Sequence, residues 1–352
     1  MPKQIIIDCE RMKSAHTGLY HYCYNLGNAL KQQGDPSLEE FTFFLPANRK
    51  NIFGDDQKYL LQKPWHKLML PLLKKYSLWH STHQDADYFP SGKRLQVVLT
   101  VHDINIMHNL HKTAQKKKQF ILSLEKKIKR ADHITFISKF TMNDVQQYID
   151  LGKKQVSVIY NGCNINEIKE LAKPDGITKA PFFFTIGTIM MKKNFHVLPA
   201  LLAGNDRKLI ISGITQSGTY KKTIIEEAVK HGVEKRLIFT GPISENDKQW
   251  YLKNCEAFLF PSLTEGFGLP VVEAMYFGVP IFLSRFTALP EIGGDVCYYF
   301  PSFEKESMQH AIQKGLDHYN STDAKNNIRE RAAMFSWGNA ATQYLKVYRG
   351  LC

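Results

Sequence analysis

Apolar runs of strand length alternate with helix-length amphipathic stretches along nearly all 352 residues, which restricts the chain to open, parallel sheets covered by helices on both faces. A first series places strands at 4–9, 41–45, 96–102, 133–138 and 156–160. A second places them at 182–186, 208–212, 236–240, 257–260, 280–283 and 296–300. The chain is long for one core, so two α/β units are expected. Residues 1–170 form the first and 182–335 the second, joined by a polar linker over 171–181 and followed by a helix over 336–352. Residues 55–95 are weakly patterned and read as an irregular insertion with one candidate strand at 77–82. Ligands of doubly wound sheets lie beyond the carboxyl ends of the strands, so two facing units would bind reactants from opposite walls of a cleft.

The richest chemistry lies in E-G-F-G-L-P-V-V-E, between the strand at 257–260 and a helix closed by Gly278. Gly266 and Gly268 allow backbone angles and close approach that side chains would block, and Pro270 is pre-set for a helix start. The amides of Gly266, Phe267, Gly268 and Leu269 would then face an anion. Glu265 and Glu273 can each accept two hydrogen bonds from a diol, as on a sugar or ribose. Both could instead be first-turn acids that satisfy the helix dipole. Upstream, Gly187, Lys192 and Lys193 follow the strand at 182–186, where Asn194 can cap the next helix and two cations would meet a diphosphate.

These residues resemble the E-x7-E motif of retaining, nucleotide-sugar-dependent glycosyltransferases of family 4, which have the two-Rossmann-domain architecture called GT-B. The likeness continues through E-A-M-Y-F-G-V-P at 273–280 and A-L-P-E-I-G-G-D at 288–295, and it includes F-F-F-T-I-G-T-I-M-M-K-K-N at 182–194. T-V-H-D at 100–103, I-S-K-F-T at 137–141 and Y-N-G-C-N at 160–164 extend it into the first half. Mannosyltransferase-like enzymes that build bacterial surface polysaccharides are the subgroup it suggests.

The resemblance implies a role for each matching residue. Glu273 would bind ribose hydroxyls, Glu265 and the amides after it the donor sugar, and Lys192 and Lys193 the leaving diphosphate. His102 would lie beside the sugar, either bonding a hydroxyl or supporting developing charge. Gly18 would approach the diphosphate, although relatives often carry two adjacent glycines there. Where relatives place Arg then Lys, this chain has two lysines and loses bidentate geometry at the first. The co-substrate would be a nucleotide sugar, GDP-mannose first and a UDP-hexose second, with no cofactor and no metal. The acceptor would be a hydroxyl of a glycan or polyprenyl-diphosphate-linked molecule. Two rivals remain: a glycoside hydrolase using Glu265 and Glu273, and a nucleotide-sugar-binding subunit without catalysis.

Charge and composition narrow the partners. The net charge of +13 is uneven: 112–130 holds eight Lys/Arg against one Glu, with Phe120, Ile121, Leu124 and Ile128 at helical spacing. Its basic face is either simply solvated or drawn to an anionic membrane surface. The stripe Trp65, Leu68, Met69, Leu72, Leu73 and Tyr76 within 63–79 fits membrane contact or core packing, with Pro71 interrupting it. No nucleic-acid-binding motif is present. Asp85-Ala86-Asp87 has the D-x-D spacing of metal sites, and His80 and His83 lie nearby without a third ligand. Six scattered cysteines fit reduced, buried thiols. Without the apolar core of a signal peptide near Met1 or a spanning run, a cytoplasmic protein is expected, peripheral to the plasma membrane if the basic segment binds lipid.

Overall fold

The computed structural model describes residues 1–14, 17–67, 70, 73–109, 112–163, 165–175 and 181–351. The chain forms two compact units: Met1–Asn164 with Phe335–Cys352, and Ile165–Met334.

In the first unit seven strands lie parallel: β1 (Lys3–Asp8), β2 (Glu39–Leu45), β3 (Lys58–Leu61), β4 (Leu78–Ser81), β5 (Gln96–Val101), β6 (His133–Phe136) and β7 (Gln155–Val158). Their order, β3-β2-β1-β4-β5-β6-β7, reverses between β1 and β4. Ile5, Ile6 and Ile7 are fully buried on β1, as expected where helices cover both faces.

The 55–95 segment is therefore not an irregular insertion, because it supplies β3 and the central β4. L-W-H-S lacks an apolar run, yet all four residues are buried. Both ring nitrogens of its histidine find internal partners: His80 Nε2 lies 2.7 Å from Thr100 Oγ1, and His80 Nδ1 lies 2.7 Å from the Tyr348 hydroxyl. A strand can carry histidine through a core when both ring nitrogens are bonded.

Helix Trp337–Leu351 packs against helix Gly18–Gln33 of this unit. The Tyr344 hydroxyl lies 2.7 Å from that of Tyr22 and 3.1 Å from Thr100 Oγ1, while Arg349 grips Glu39 with two bonds of 2.6 and 3.1 Å. Helix Ala114–Arg130 buries Leu124 and Ile128. Its basic residues are not all solvated, since Lys127 donates to the carbonyls of Gln84 and Ala86 at 2.7 and 2.8 Å. Of the 63–79 stripe, Leu73 and Tyr76 pack on the core and Trp65 is 56% exposed. Leu68, Met69, Pro71 and Leu72 lie outside the described residues.

The second unit has six parallel strands: β8 (Phe182–Ile186), β9 (Lys208–Ser212), β10 (Leu237–Gly241), β11 (Ala257–Phe260), β12 (Ile281–Leu283) and β13 (Tyr298–Tyr299). The order β10-β9-β8-β11-β12-β13 reverses between β8 and β11. Residues 165–170, read from sequence as part of the first unit, belong here. Within the expected linker, Ala172 exchanges backbone-to-side-chain bonds of 2.9 and 3.1 Å with Asn246, while 176–180 lie outside the described residues. Among the described residues no helix is long and apolar enough to cross a membrane.

Candidate functional site

β8 and β11 are neighbours at the reversal of the second sheet, so the segments leaving their carboxyl ends meet. Gly187 follows β8, and a 3-10 turn, Met191–Lys193, brings the two lysines round. Asn194 does not cap the next helix with its side chain; it takes a left-handed conformation, φ 58°, and a 3-10 segment, Phe195–Leu202, follows. The loop after β11 is strapped to this turn by Leu263, whose amide donates to the Lys192 carbonyl at 2.8 Å.

Lys193 Nζ lies 2.5 Å from Glu265 Oε1 and 4.8 Å from the Phe260 ring centroid. The Ser262 hydroxyl donates to the same carboxylate oxygen at 2.6 Å, and the Glu265 amide donates to Thr287 Oγ1 at 2.9 Å. Burial alone would raise the Glu265 carboxyl, but the charges of Lys193 and Lys192 and the bonds from Lys193 and Ser262 outweigh it and hold the group below the usual carboxylate range. A Cβ at position 187 would sit 3.2 Å from Lys193 Cε, so glycine gives the lysine stem room to cross. Lys192 is half-buried, and its ammonium acts on Glu265 through its charge, with no hydrogen bond or ion pair of its own among the described residues.

Gly268 caps helix Leu269–Phe277 with φ 101°, a conformation that excludes ordinary side chains, and Pro270 occupies the first turn. The loop thus ends at a helix N-terminus, the positive end of the dipole. Phe267 is only 3% exposed, so its ring packs into the unit and does not face a ligand. On the same helix, Glu273 Oε1 pairs with Lys248 Nζ at 2.7 Å, and Lys248 also reaches Glu245 Oε2 at 2.9 Å. Burial would lower the Lys248 ammonium, yet the two carboxylates raise it overall.

The structure thus gathers Gly187, Lys192, Lys193, Glu265 and the 266–269 loop into one place, with Glu273 on the helix that the loop opens. Ser262, Thr287 and Lys248 also belong there, although spacing alone does not single them out. Gly18 and His102 belong to the first unit. Gly18 opens its helix behind a Thr17 cap, and a Cβ there would meet nothing within 4 Å. Ser138 caps its helix in the same way, accepting from the Thr141 amide.

His102 follows β5. Its Nε2 donates to the Thr82 carbonyl at 2.8 Å, and its ring stands edge-on to Tyr22 at 4.5 Å. Burial pushes its pKa down to about 4, against the opposing bond to Thr82. A neutral ring of this kind can accept a hydroxyl proton at Nδ1 but is poorly suited to carry charge. In the D-x-D segment Asp87 pairs with Lys67 at 2.6 Å, and His83 Nδ1 accepts from the Asp85 amide at 3.0 Å. His80 is committed to Thr100 and Tyr348. No cluster of three or more metal-ligating side chains occurs among the described residues.

Glycosidic hydrolysis by two carboxyls needs one of them protonated and poised as an acid. Glu265 is instead held ionised by two lysines, and Glu273 is paired with a third. The arrangement is suited to accepting hydroxyl protons and meeting negative charge.

Residues 17–167 match the model described as Glycosyltransferase Family 4, and 167–333 match Glycosyl transferases group 1. The O-antigen chain mannosyltransferase RfbU of Salmonella typhimurium is 24% identical over 331 residues, covering 88% of this chain and 90% of that one. The serotype-specific mannosyltransferase WbdA of Escherichia coli is 28% identical over 246 residues, 64% of this chain but only 29% of WbdA. Anabaena HepE, solved in complex with UDP and glucose, superposes with a TM-score of 0.73 at 17% identity, covering 99% of both chains, and shares the fold.

Proposed function

The chain belongs to the family 4, group 1 glycosyltransferases, and from that membership we propose a retaining, metal-independent hexosyltransferase that moves mannose from GDP-mannose to an acceptor hydroxyl. The acceptor is a growing surface glycan or a polyprenyl-diphosphate-linked precursor. The observation that carries this reading is the ionised Glu265, clamped by Lys193 beside the unpaired Lys192 at the reversal point of the second sheet. That is where an α/β sheet binds its ligand.

In this reading Glu265 and the loop that follows it hold the sugar hydroxyls, and Glu273 holds the ribose. As the glycosidic bond to the diphosphate breaks, charge grows on the leaving phosphate. A fixed ammonium at about 4 Å contributes on the order of 4 kcal/mol before desolvation costs. Lys192, whose ammonium makes no ion pair among the described residues, supplies it without a metal. The acceptor attacks from the leaving-group face through an oxocarbenium-like state, so configuration is kept and no enzyme nucleophile is needed. Neutral His102 contributes a hydrogen bond rather than a charge.

The mannosyltransferase names of RfbU and WbdA support mannose and a surface polysaccharide. A UDP-hexose is the second reading, favoured by the UDP and glucose held by HepE. The enzyme would work in the cytoplasm, with the basic face of helix Ala114–Arg130 drawn to the anionic inner face of the plasma membrane.

The test is sugar release or transfer from GDP-mannose and UDP-hexoses by the purified protein in excess chelator, with the product anomer assigned by NMR. Chelator-resistant turnover of GDP-mannose with retained configuration is expected. Complete metal dependence or an inverted product would overturn the mechanism, and tight donor binding with no turnover across a broad acceptor panel would indicate a non-catalytic subunit.

A further inference from the structure

Thr287 holds a backbone conformation that the described chain otherwise keeps for glycine and asparagine. Its φ is 56°, in the left-handed region, and every other described residue with positive φ is one of those two types. A branched Cβ makes this turn costly, so the surroundings must impose it. They do so through the loop that leaves β12. β11 and β12 lie side by side, with Phe260 opposite Leu283, and beyond them the two loops are bonded at three points. The Ser284 hydroxyl donates to the Ser262 carbonyl at 2.5 Å, the Glu265 amide donates to Thr287 Oγ1 at 2.9 Å, and the Ala288 amide donates to the Glu265 carbonyl at 3.4 Å.

The last two bonds hold the peptide planes on either side of Glu265, which sets the direction in which its side chain leaves the backbone. At the tip, Oε1 is taken by Lys193 and Ser262, whereas Oε2 accepts no hydrogen bond among the described residues. One oxygen of a firmly rooted acid is therefore left for a ligand.

We propose that Thr287 is a positioning residue for the donor sugar, its strained turn setting Glu265 so that Oε2 meets a sugar hydroxyl in one orientation. This rests on the role of Glu265 proposed above. A glycine at 287 would make the turn without strain, but it would leave the Glu265 amide without its acceptor. The fold thus gives up stability to keep one hydroxyl in place. That hydroxyl bonds Glu265 and neither Lys192, Lys193 nor Glu273, so its loss should fall on the sugar step and spare nucleotide binding.

The experiment compares the full chain with Thr287→Gly and Thr287→Ser. It reads kcat and KM for whichever of GDP-mannose and UDP-glucose the wild type turns over faster, calorimetric binding of the matching nucleoside diphosphate, and the unfolding midpoint. Thr287→Gly should hold the midpoint within about 2 °C, because relief of the turn offsets the lost bond. Its kcat should nevertheless fall by about tenfold or more, with KM and nucleoside diphosphate binding within about twofold of the wild type. Thr287→Ser keeps the hydroxyl and should recover most of the turnover when all three proteins are assayed well below their midpoints. Wild-type kcat in Thr287→Gly overturns the inference, as does a Thr287→Ser variant no faster than Thr287→Gly. Weakened nucleoside diphosphate binding in Thr287→Gly also overturns it, because the loss is then not confined to the sugar. The donor site stands in all three cases. A wild type that turns over neither nucleotide hexose defeats the proposed function and this inference with it.

Discussion

Lys193 and Glu265 hold each other at 2.5 Å across the reversal of the second sheet, although 72 positions separate them in the chain. Their side chains are 11% and 13% exposed, so neither charge has much recourse to water. Replacing Lys193 by Met should strand the carboxylate and destabilise the protein by about 3–5 kcal/mol. Adding Glu265→Gln should restore much of that loss, since no uncompensated charge then remains. Denaturant unfolding of the two single variants and the double variant measures the coupling, and additive losses would contradict it.

Lys192 should behave in the opposite way. With no ion-pair partner among the described residues, its substitution by Ala should change stability by less than about 0.5 kcal/mol. Turnover should nevertheless fall by about tenfold or more if, as proposed, this cation meets the leaving diphosphate. Thermal unfolding alongside steady-state kinetics separates the two effects.

Two glycines offer a contrast. Gly187→Ala places a methyl 3.2 Å from Lys193 Cε and should shift the lysine, lowering both turnover and the unfolding midpoint. Gly18→Ala meets nothing within 4 Å, so the midpoint should hold. If the donor diphosphate approaches that backbone, its KM should rise severalfold as the methyl takes up the space.

The buried histidines give a pH dependence with a defined sign. Burial lowers His80 to about 3 and His102 to about 4, from 6.5 in the unfolded chain. Below pH 6.5 the unfolded chain therefore binds protons that the folded one refuses. Their stabilising contribution is complete above that value and is lost as the pH falls toward 4 and then 3. Between pH 7 and 5 each should cost about 2 kcal/mol. Imidazole nitrogen NMR should find both rings neutral at pH 5, and an imidazolium signal from either in the folded protein would refute the assignment.

Much of this fold was legible because parallel strands buried on both faces are written as apolar runs. I-I-I in β1 and F-F-F-T-I in β8 could be read directly. β4 was only a candidate within a supposed insertion, because L-W-H-S depends on partners from Thr100 and Tyr348 that no local pattern reveals. At the site, glycines, proline and acids at fixed spacing marked the loop after β11. Pairing was a different matter. That Glu265 takes Lys193 and Glu273 takes Lys248 follows from strand order and helix orientation, which act over 72 and 25 positions. Asn194 was misjudged as a helix cap because its sequence neighbourhood does not show the left-handed turn it makes.

The hydroxyls of Tyr344 and Tyr348 complete a bonded cluster with Tyr22, Thr100 and His80, yet they are encoded after the whole of Ile165–Met334. On the ribosome, the first sheet emerges long before the helix that satisfies it. Until that helix arrives, His80 and Thr100 must face water or an incomplete core. The second sheet, by contrast, is continuous in the chain and has no such wait. The unit whose synthesis begins first is the last to be finished, which ties completion of one folded half to translation through the other.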